Sequence, residues 1–148
     1  MSAVHASTPL SLAKTLVLPD NYQISFIELD NRAPFPVKRV YWVHSLNAGD
    51  RRGEHAHKTM QQLLVAVSGS LKVTLDDGSQ HREFILEKPN EALWVPAGLW
   101  RSIVTLKDYS TLLSLASTHF DEQDYIRDYD DFLRFAQQRD AASATQQL

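Results

Sequence analysis

Six histidines and no cysteine stand in this sequence, and two of the histidines form a pattern that chemistry could use, His55-Ala56-His57. On an extended strand, residues i and i+2 point to the same face, so both imidazoles would project together. Imidazole has the side-chain pKa nearest neutral pH, which suits it to taking and returning protons as well as to holding a metal. Gly49 stands six residues before His55, Gln62 five after His57, and Gly69 seven after Gln62. Further on the chain reads Pro96-Ala97-Gly98-Leu99-Trp100-Arg101. The lack of cysteine excludes a disulfide framework, a thiolate metal site and a cysteine nucleophile.

These intervals resemble the two cupin motifs: Gly, His-x-His, Glu and Gly, then Pro-x-Gly-x-x-His. Metal-binding cupins take two His, one Glu and a further His from them. Here Gln62 stands in the place of the Glu and Arg101 in the place of the last His. An amide oxygen is a poor ligand for a transition metal, and a guanidinium puts a positive charge into a cation site. The expectation is therefore no metal and no cofactor, with His55 and His57 doing acid–base work. The plain alternative is a pair of surface or hydrogen-bonded histidines on a strand.

A closer resemblance lies in Arg52-Gly53-Glu54-His55-Ala56-His57-Lys58. It is similar to the RGxHAHK signature of the nucleotide-sugar 3,4-ketoisomerases, the WxcM-like cupins that act on dTDP-4-keto-6-deoxyglucose. Lys38-Arg39-Val40-Tyr41, Gly69-Ser70, Leu75-Asp76-Asp77-Gly78, Leu115-Ala116-Ser117, Asp121-Glu122 and Asp124-Tyr125-Ile126-Arg127 extend the match over most of residues 34–133. The chain departs from the family at Arg101-Ser102, at Phe120 and at Asp20-Asn21-Tyr22-Gln23. The resemblance implies a homodimeric, metal-independent enzyme whose ligand is a dTDP-linked keto-deoxysugar. It would convert dTDP-4-keto-6-deoxyglucose to a dTDP-3-keto-6-deoxyhexose through an enediol.

The same resemblance suggests roles. His55 and His57 would take and return the proton, with His57 slightly favoured as the principal base. Tyr41 and Arg101 would stabilise the enolate oxygen. Arg52 or Arg51 would grip the diphosphate. Trp100 would form an apolar wall or stack on a ring. Arg39 shares a strand face with Tyr41, and Gln62 would stand near the site or fix an imidazole tautomer. Two other functions fit the same residues: a keto-sugar epimerase of the 3,5-epimerase type, and a non-catalytic cupin that binds a sugar nucleotide. A metal-dependent dioxygenase is a weaker fourth.

The elements that must position these residues are mostly short strands. Residues 37–45 are rich in β-branched and aromatic types, and 63–67 form a continuous apolar run, as in a strand buried on both faces. Leu71, Val73 and Leu75 alternate with polar residues before the turn Asp76-Asp77-Gly78. Residues 81–87, 92–95 and 110–117 are further strand candidates. After Thr118 the spacing of Tyr125, Ile126, Tyr129, Phe132, Leu133 and Ala136 predicts one or two short helices, their acidic start at Asp121, Glu122 and Asp124. That stripe reads as helix-to-barrel packing, and Asp128, Asp130 and Asp131 as a wet face. His44, His81 and His119 read as structural or exposed, and Lys58 as a surface charge.

The fold class that follows is all-β: a cupin-type β-barrel (jelly roll) with short C-terminal helices. One domain is expected over 1–148, with 1–15 a loose arm and 140–148 a frayed tail. Residues 8–18 could add a strand to a neighbour's sheet. The net charge of −3 argues against nucleic-acid binding. No apolar run is long enough for a bilayer and no secretory leader is evident, so the expected location is the cytoplasm.

Overall fold

The computed structural model describes residues 8–146. A turn of helix, α1 (Pro9–Leu12), leads into β1 (Lys14–Val17), and a small hairpin follows in β2 (Asp20–Asn21) and β3 (Ile24–Ser25). The main strands are β4 (Arg39–Leu46), β5 (Arg51–His57), β6 (Gln62–Ser68), β7 (Leu71–Asp76), β8 (His81–Leu86), β9 (Glu91–Val95), β10 (Trp100–Thr105) and β11 (Ser110–Ala116). A 3-10 turn at Glu122–Asp124, the short β12 (Tyr125–Ile126) and the helix α2 (Tyr129–Thr145) complete the described chain.

Two five-stranded antiparallel sheets make the expected jelly roll, one ordered β1-β9-β6-β11-β4 and the other β12-β5-β10-β7-β8. Leu46, Leu64, Leu93 and Leu112 of the first meet Leu71, Val73, Leu75, Leu86 and Ile103 of the second in the main core. β7 shows the period-2 pattern cleanly, with Leu71, Val73 and Leu75 buried and the residues between them half-buried. β6 is buried from Gln62 to Ala66 because both its faces are covered. Leu63 and Val65 pack outward against Leu18 and Phe35 of the segment that crosses this sheet.

The described part of the expected arm is α1 and β1. β1 pairs with β9 of the same chain, from Lys14 opposite Trp94 to Val17 opposite Glu91. Leu10 and Ala13 insert into the core, and Arg82 Nη1 donates to both their carbonyls at 3.1 and 3.0 Å. Those contacts satisfy backbone groups that a loose arm would leave to water.

The C-terminal region also differs from expectation. Tyr125 and Ile126 extend as β12, opposite His57 and Ala56 of β5. The helix starts later, where Asp128 caps it by accepting from Asp131 N at 2.9 Å, with Asp130 and Asp131 in its first turn. The aspartates expected as a wet face are exposed as expected, and they also form the helix start. α2 continues to Thr145, through most of the expected frayed tail, and residues 147–148 lie outside the described part. Its Phe132 and Ala136 join Ala56, Trp100 and Ile126 in a small core outside the barrel. Arg139 fastens the helix to two turns, donating to Gly98 O at 2.6 Å and Asp77 O at 2.9 Å. Among the described residues no helix is long and apolar enough to cross a membrane.

Candidate active site

Strand alternation alone would put Arg52 and His55 on opposite faces of β5. A bulge prevents this. Across the ladder Ile103 stands opposite Arg52, Ser102 opposite Gly53 and Arg101 opposite His55, which leaves Glu54 without a partner. Gly53 and Glu54 both take positive φ, +84° and +57°. The extra residue resets the parity, so that Arg52 and His55 both turn into the barrel. Gly53 is required where it stands, because a Cβ there would lie 2.8 Å from the Arg101 carbonyl oxygen.

His55 Nδ1 lies 2.9 Å from Gly53 O. A carbonyl only accepts, so Nδ1 carries the proton and Nε2 keeps its lone pair. His57 Nε2, 3.1 Å away, must then be the donor to His55 Nε2. The two rings meet edge-on, with centroids 4.8 Å apart. Behind them Asp124 Oδ2 comes within 3.3 Å of His57 Nδ1 without the alignment of a hydrogen bond. This carboxylate is itself held. Oδ1 accepts from Thr59 N at 2.8 Å and Thr59 Oγ1 at 2.7 Å, and Oδ2 from Met60 N at 3.1 Å. The Tyr125 ring closes over both imidazoles, at 4.9 Å from His55 and 4.3 Å from His57.

Both imidazoles are neutral at physiological pH. Burial pushes His55 down to about 4, and the Arg101 guanidinium adds to this while the Gly53 carbonyl opposes it. Burial pushes His57 down to about 2, again with Arg101 the next cause. An imidazole held in this way is unprotonated at neutral pH and gives up an acquired proton readily.

Arg101 is fully buried and has no carboxylate at ion-pair distance among the described residues. Burial holds it down to about 10, so it remains cationic at neutral pH. Its Nη2 donates to Leu99 O at 3.1 Å and its Nη1 to Gln62 Oε1, while Nε has no protein partner. Gln62 Nε2 in turn donates to Tyr41 OH at 2.6 Å and Ser114 Oγ at 3.0 Å. A buried cation without a counter-charge costs several kcal/mol, and it prepares the cavity for negative charge. Tyr41, Arg52, His55, Gln62 and Arg101 line that cavity, about 160 Å³ in volume, over an apolar floor that includes Leu64 and Leu112.

Seven of the nine expected residues gather here. His57 is 1% exposed and sits behind His55, which itself forms part of the cavity wall. Arg39 stands at the side, stacked 5.2 Å from the Tyr41 ring and 5.7 Å from Phe120. Gln62 bonds Tyr41, Ser114 and Arg101 rather than an imidazole.

Arg51 and Trp100 do not belong to the cavity, and alternation is the reason. Each neighbours a residue that points inward, Arg52 and Arg101, so each must point out. Arg51 is exposed beside Glu54 at 4.0 Å, and Trp100 packs beneath α2 with its ring 5.2 Å from Tyr129. Conversely, Tyr125 faces the histidines instead of acting as helix packing. Asp124 was legible only as acidic helix-start chemistry. Its signal was the joint occurrence of the His-Ala-His and Asp-Tyr-Ile-Arg segments, which β12 brings together.

Known proteins resemble this chain in sequence and in fold. The WxcM-like, C-terminal family (FdtA) matches residues 12–137. A TDP-4-oxo-6-deoxy-alpha-D-glucose-3,4-oxoisomerase of Aneurinibacillus thermoaerophilus is 38% identical over 109 residues, 74% of this chain and 78% of that protein. A 3,4-ketoisomerase from Helicobacter canadensis superposes with a TM-score of 0.78 at 35% identity, over 84% of this chain and 97% of its own. A mutant of the 3,4-ketoisomerase QdtA from Thermoanaerobacterium thermosaccharolyticum, in complex with TDP-4-keto-6-deoxyglucose, superposes with a TM-score of 0.82 at 30% identity, over 86% of this chain and 95% of its own.

Proposed function

The chain belongs to the WxcM-like family of sugar-nucleotide 3,4-ketoisomerases, and we propose that His55 is the base that moves its substrate's carbon-bound proton. The protein is an isomerase that converts TDP-4-keto-6-deoxyglucose to a TDP-3-keto-6-deoxyhexose. The C4 ketone acidifies the hydrogen on C3. His55 Nε2 takes that proton, the electron pair moves into a C3–C4 double bond, and the C4 oxygen becomes anionic. The proton then returns at C4, and the hydroxyl proton of O3 crosses to O4. No electron enters or leaves the sugar, and no redox cofactor is needed.

One observation carries the choice of base: His55 is on the cavity wall, whereas His57 is buried behind it, so the substrate's C3 hydrogen would take the place of the His57 N–H at the His55 Nε2 lone pair. His57 and Asp124 support His55: the Asp124 carboxylate, 3.3 Å from His57 Nδ1, stabilises the positive charge that the imidazole pair gains with the proton. Arg101 and the Tyr41 hydroxyl stabilise the enediolate oxygens. Arg52, exposed on the cavity lining, fits the diphosphate.

A homodimer is part of this reading. β4 is a sheet edge, and its outward residues Val40 and Trp42 are 46% and 61% exposed, an apolar strip that a second copy would cover. The diphosphate of the substrate cannot cross a bilayer unaided, which supports a cytoplasmic location.

The test is incubation with TDP-4-keto-6-deoxyglucose in deuterium oxide, followed by proton NMR. The expected result is a 3-keto product, with solvent deuterium entering as the carbonyl moves. His55→Asn should lower the rate by at least about a hundredfold. A product that keeps its C4 ketone while exchanging at C3 and C5 would mean an epimerase. Saturable binding without exchange would mean a binding protein.

A further inference from the structure

We propose that Gln62 is a positioning residue which fixes Tyr41 as a hydrogen-bond donor to the cavity, and that Arg101 sets the direction of this relay. The inference rests on the isomerase reading and goes beyond it by naming a residue that acts through another.

The direction follows from chemistry at one end. A guanidinium can only donate, so the Gln62 atom facing Arg101 Nη1 must be the oxygen. The amide is thereby oriented without ambiguity, and Nε2 must face Tyr41 and Ser114. Its two hydrogens go to Tyr41 OH at 2.6 Å and Ser114 Oγ at 3.0 Å. The phenol oxygen is therefore an acceptor toward Gln62, and its single proton is free to point elsewhere. Tyr41 lines the same cavity as His55, so that proton can be aimed at an oxygen bound there.

Register holds the relay in place. Ser114 stands opposite Tyr41 on one side and opposite Leu64 on the other, and Gln62 shares the inner face of β6 with Leu64. Gln62 is 1% exposed and Ser114 fully buried, so water does not compete for these bonds. Every polar atom of the Gln62 side chain is committed, which leaves the amide no alternative orientation.

Glutamate at this position would reverse the relay. Its carboxylate would still accept from Arg101, but its second oxygen would also accept, and Tyr41 would have to donate to it. The tyrosine would then present lone pairs to the enediolate instead of a proton. Gln62→Glu is close to isosteric, so shape alone would not explain its effect.

The test reads the Fermi doublet of the tyrosine ring in ultraviolet resonance Raman spectra, whose intensity ratio reports whether a phenol donates or accepts. Subtracting the Tyr41→Phe spectrum isolates Tyr41. In the wild-type protein the difference doublet should be of the kind shown by a phenol that accepts, whether or not it also donates, and in Gln62→Glu of the donating-only kind. Ser114→Ala should leave the wild-type doublet unchanged. With TDP-4-keto-6-deoxyglucose, Gln62→Glu should lower kcat by about a hundredfold with KM nearly unchanged, the size of losing one oxyanion donor. A doublet of the donating-only kind in the wild-type protein overturns the proposal, and that measurement needs no substrate and no other polar variant. An unchanged doublet in folded Gln62→Glu also overturns it, as does a reversed doublet with unchanged kcat. If the wild-type protein failed to turn over the sugar, the isomerase reading would fall while the spectra still decided the relay.

Discussion

Gly53→Ala should be far more damaging than its single added methyl suggests. Two terms act together. A non-glycine residue at φ +84° bears left-handed strain of about 1–2 kcal/mol. The new Cβ would also sit 2.8 Å from the Arg101 carbonyl oxygen and 3.2 Å from its Cγ, so β5 or β10 must move. Overpacking of that kind costs about 1–3 kcal/mol. Gly49 supplies the comparison, since it has φ +94° and a methyl added there would meet no atom within 4 Å. Gly49→Ala should show the strain alone. At about 2–4 °C per kcal/mol for a chain of this size, Gly53→Ala should melt about 2–12 °C below Gly49→Ala in calorimetry. It should also lose deuterium exchange into the sugar, because moving the bulge displaces both His55 and the Arg101 backbone. If the two variants melt within about 2 °C of each other and exchange equally, the bulge does not set the site.

Three further outcomes are expected. Both site histidines are held below the ordinary 6.5, to about 4 and about 2, so below pH 6.5 the unfolded chain binds protons that the folded chain refuses. Stability is therefore complete above pH 6.5 and falls as pH drops, by up to about 1.4 kcal/mol per pH unit for each histidine. Urea midpoints at pH 7 and pH 5 measure this fall, and His57→Asn should remove part of it. Asp124→Asn should lower kcat about tenfold, or about 1.4 kcal/mol, by weakening the support for His57, while KM in steady-state assays stays nearly constant. Trp100→Phe should lower the melting temperature through lost packing beneath α2, yet leave KM unchanged; a raised KM would return Trp100 to the substrate.

Strand types were legible because β-branched runs and period-2 alternation are local signals. β6 and β7 follow them to within a residue at each end. The histidine pair was legible for the same reason, since i and i+2 share a face. What local pattern could not carry was parity across a bulge. Arg51 and Arg52 look equivalent in sequence, and only the two-against-one pairing at Ser102 decides which enters the barrel. Long-range assembly was equally silent. Tyr125 and Ile126 have helical spacing to Tyr129 and Phe132, but pairing with β5 outweighs that local preference. The adjacent pair Trp100 and Arg101 could have been resolved by alternation, because both cannot face inward.

The pairing of β12 with β5 also has a bearing on the order in which the molecule comes into being. A chain emerges from the ribosome amino end first. Every strand of the two large sheets except β12 precedes Asp121, and so do both histidines and Arg101. The barrel can thus close around a nascent pair of imidazoles that still lacks the Tyr125 ring and the Asp124 carboxylate. Those arrive across a separation of 65 residues between Thr59 and Asp124, followed by the helix that covers the outside. A chain that stalls or is cut before Asp124 would hold a folded shell with an unfinished acid–base pair. Competence is in this sense a late event of synthesis, conferred by the segment that follows the last barrel strand.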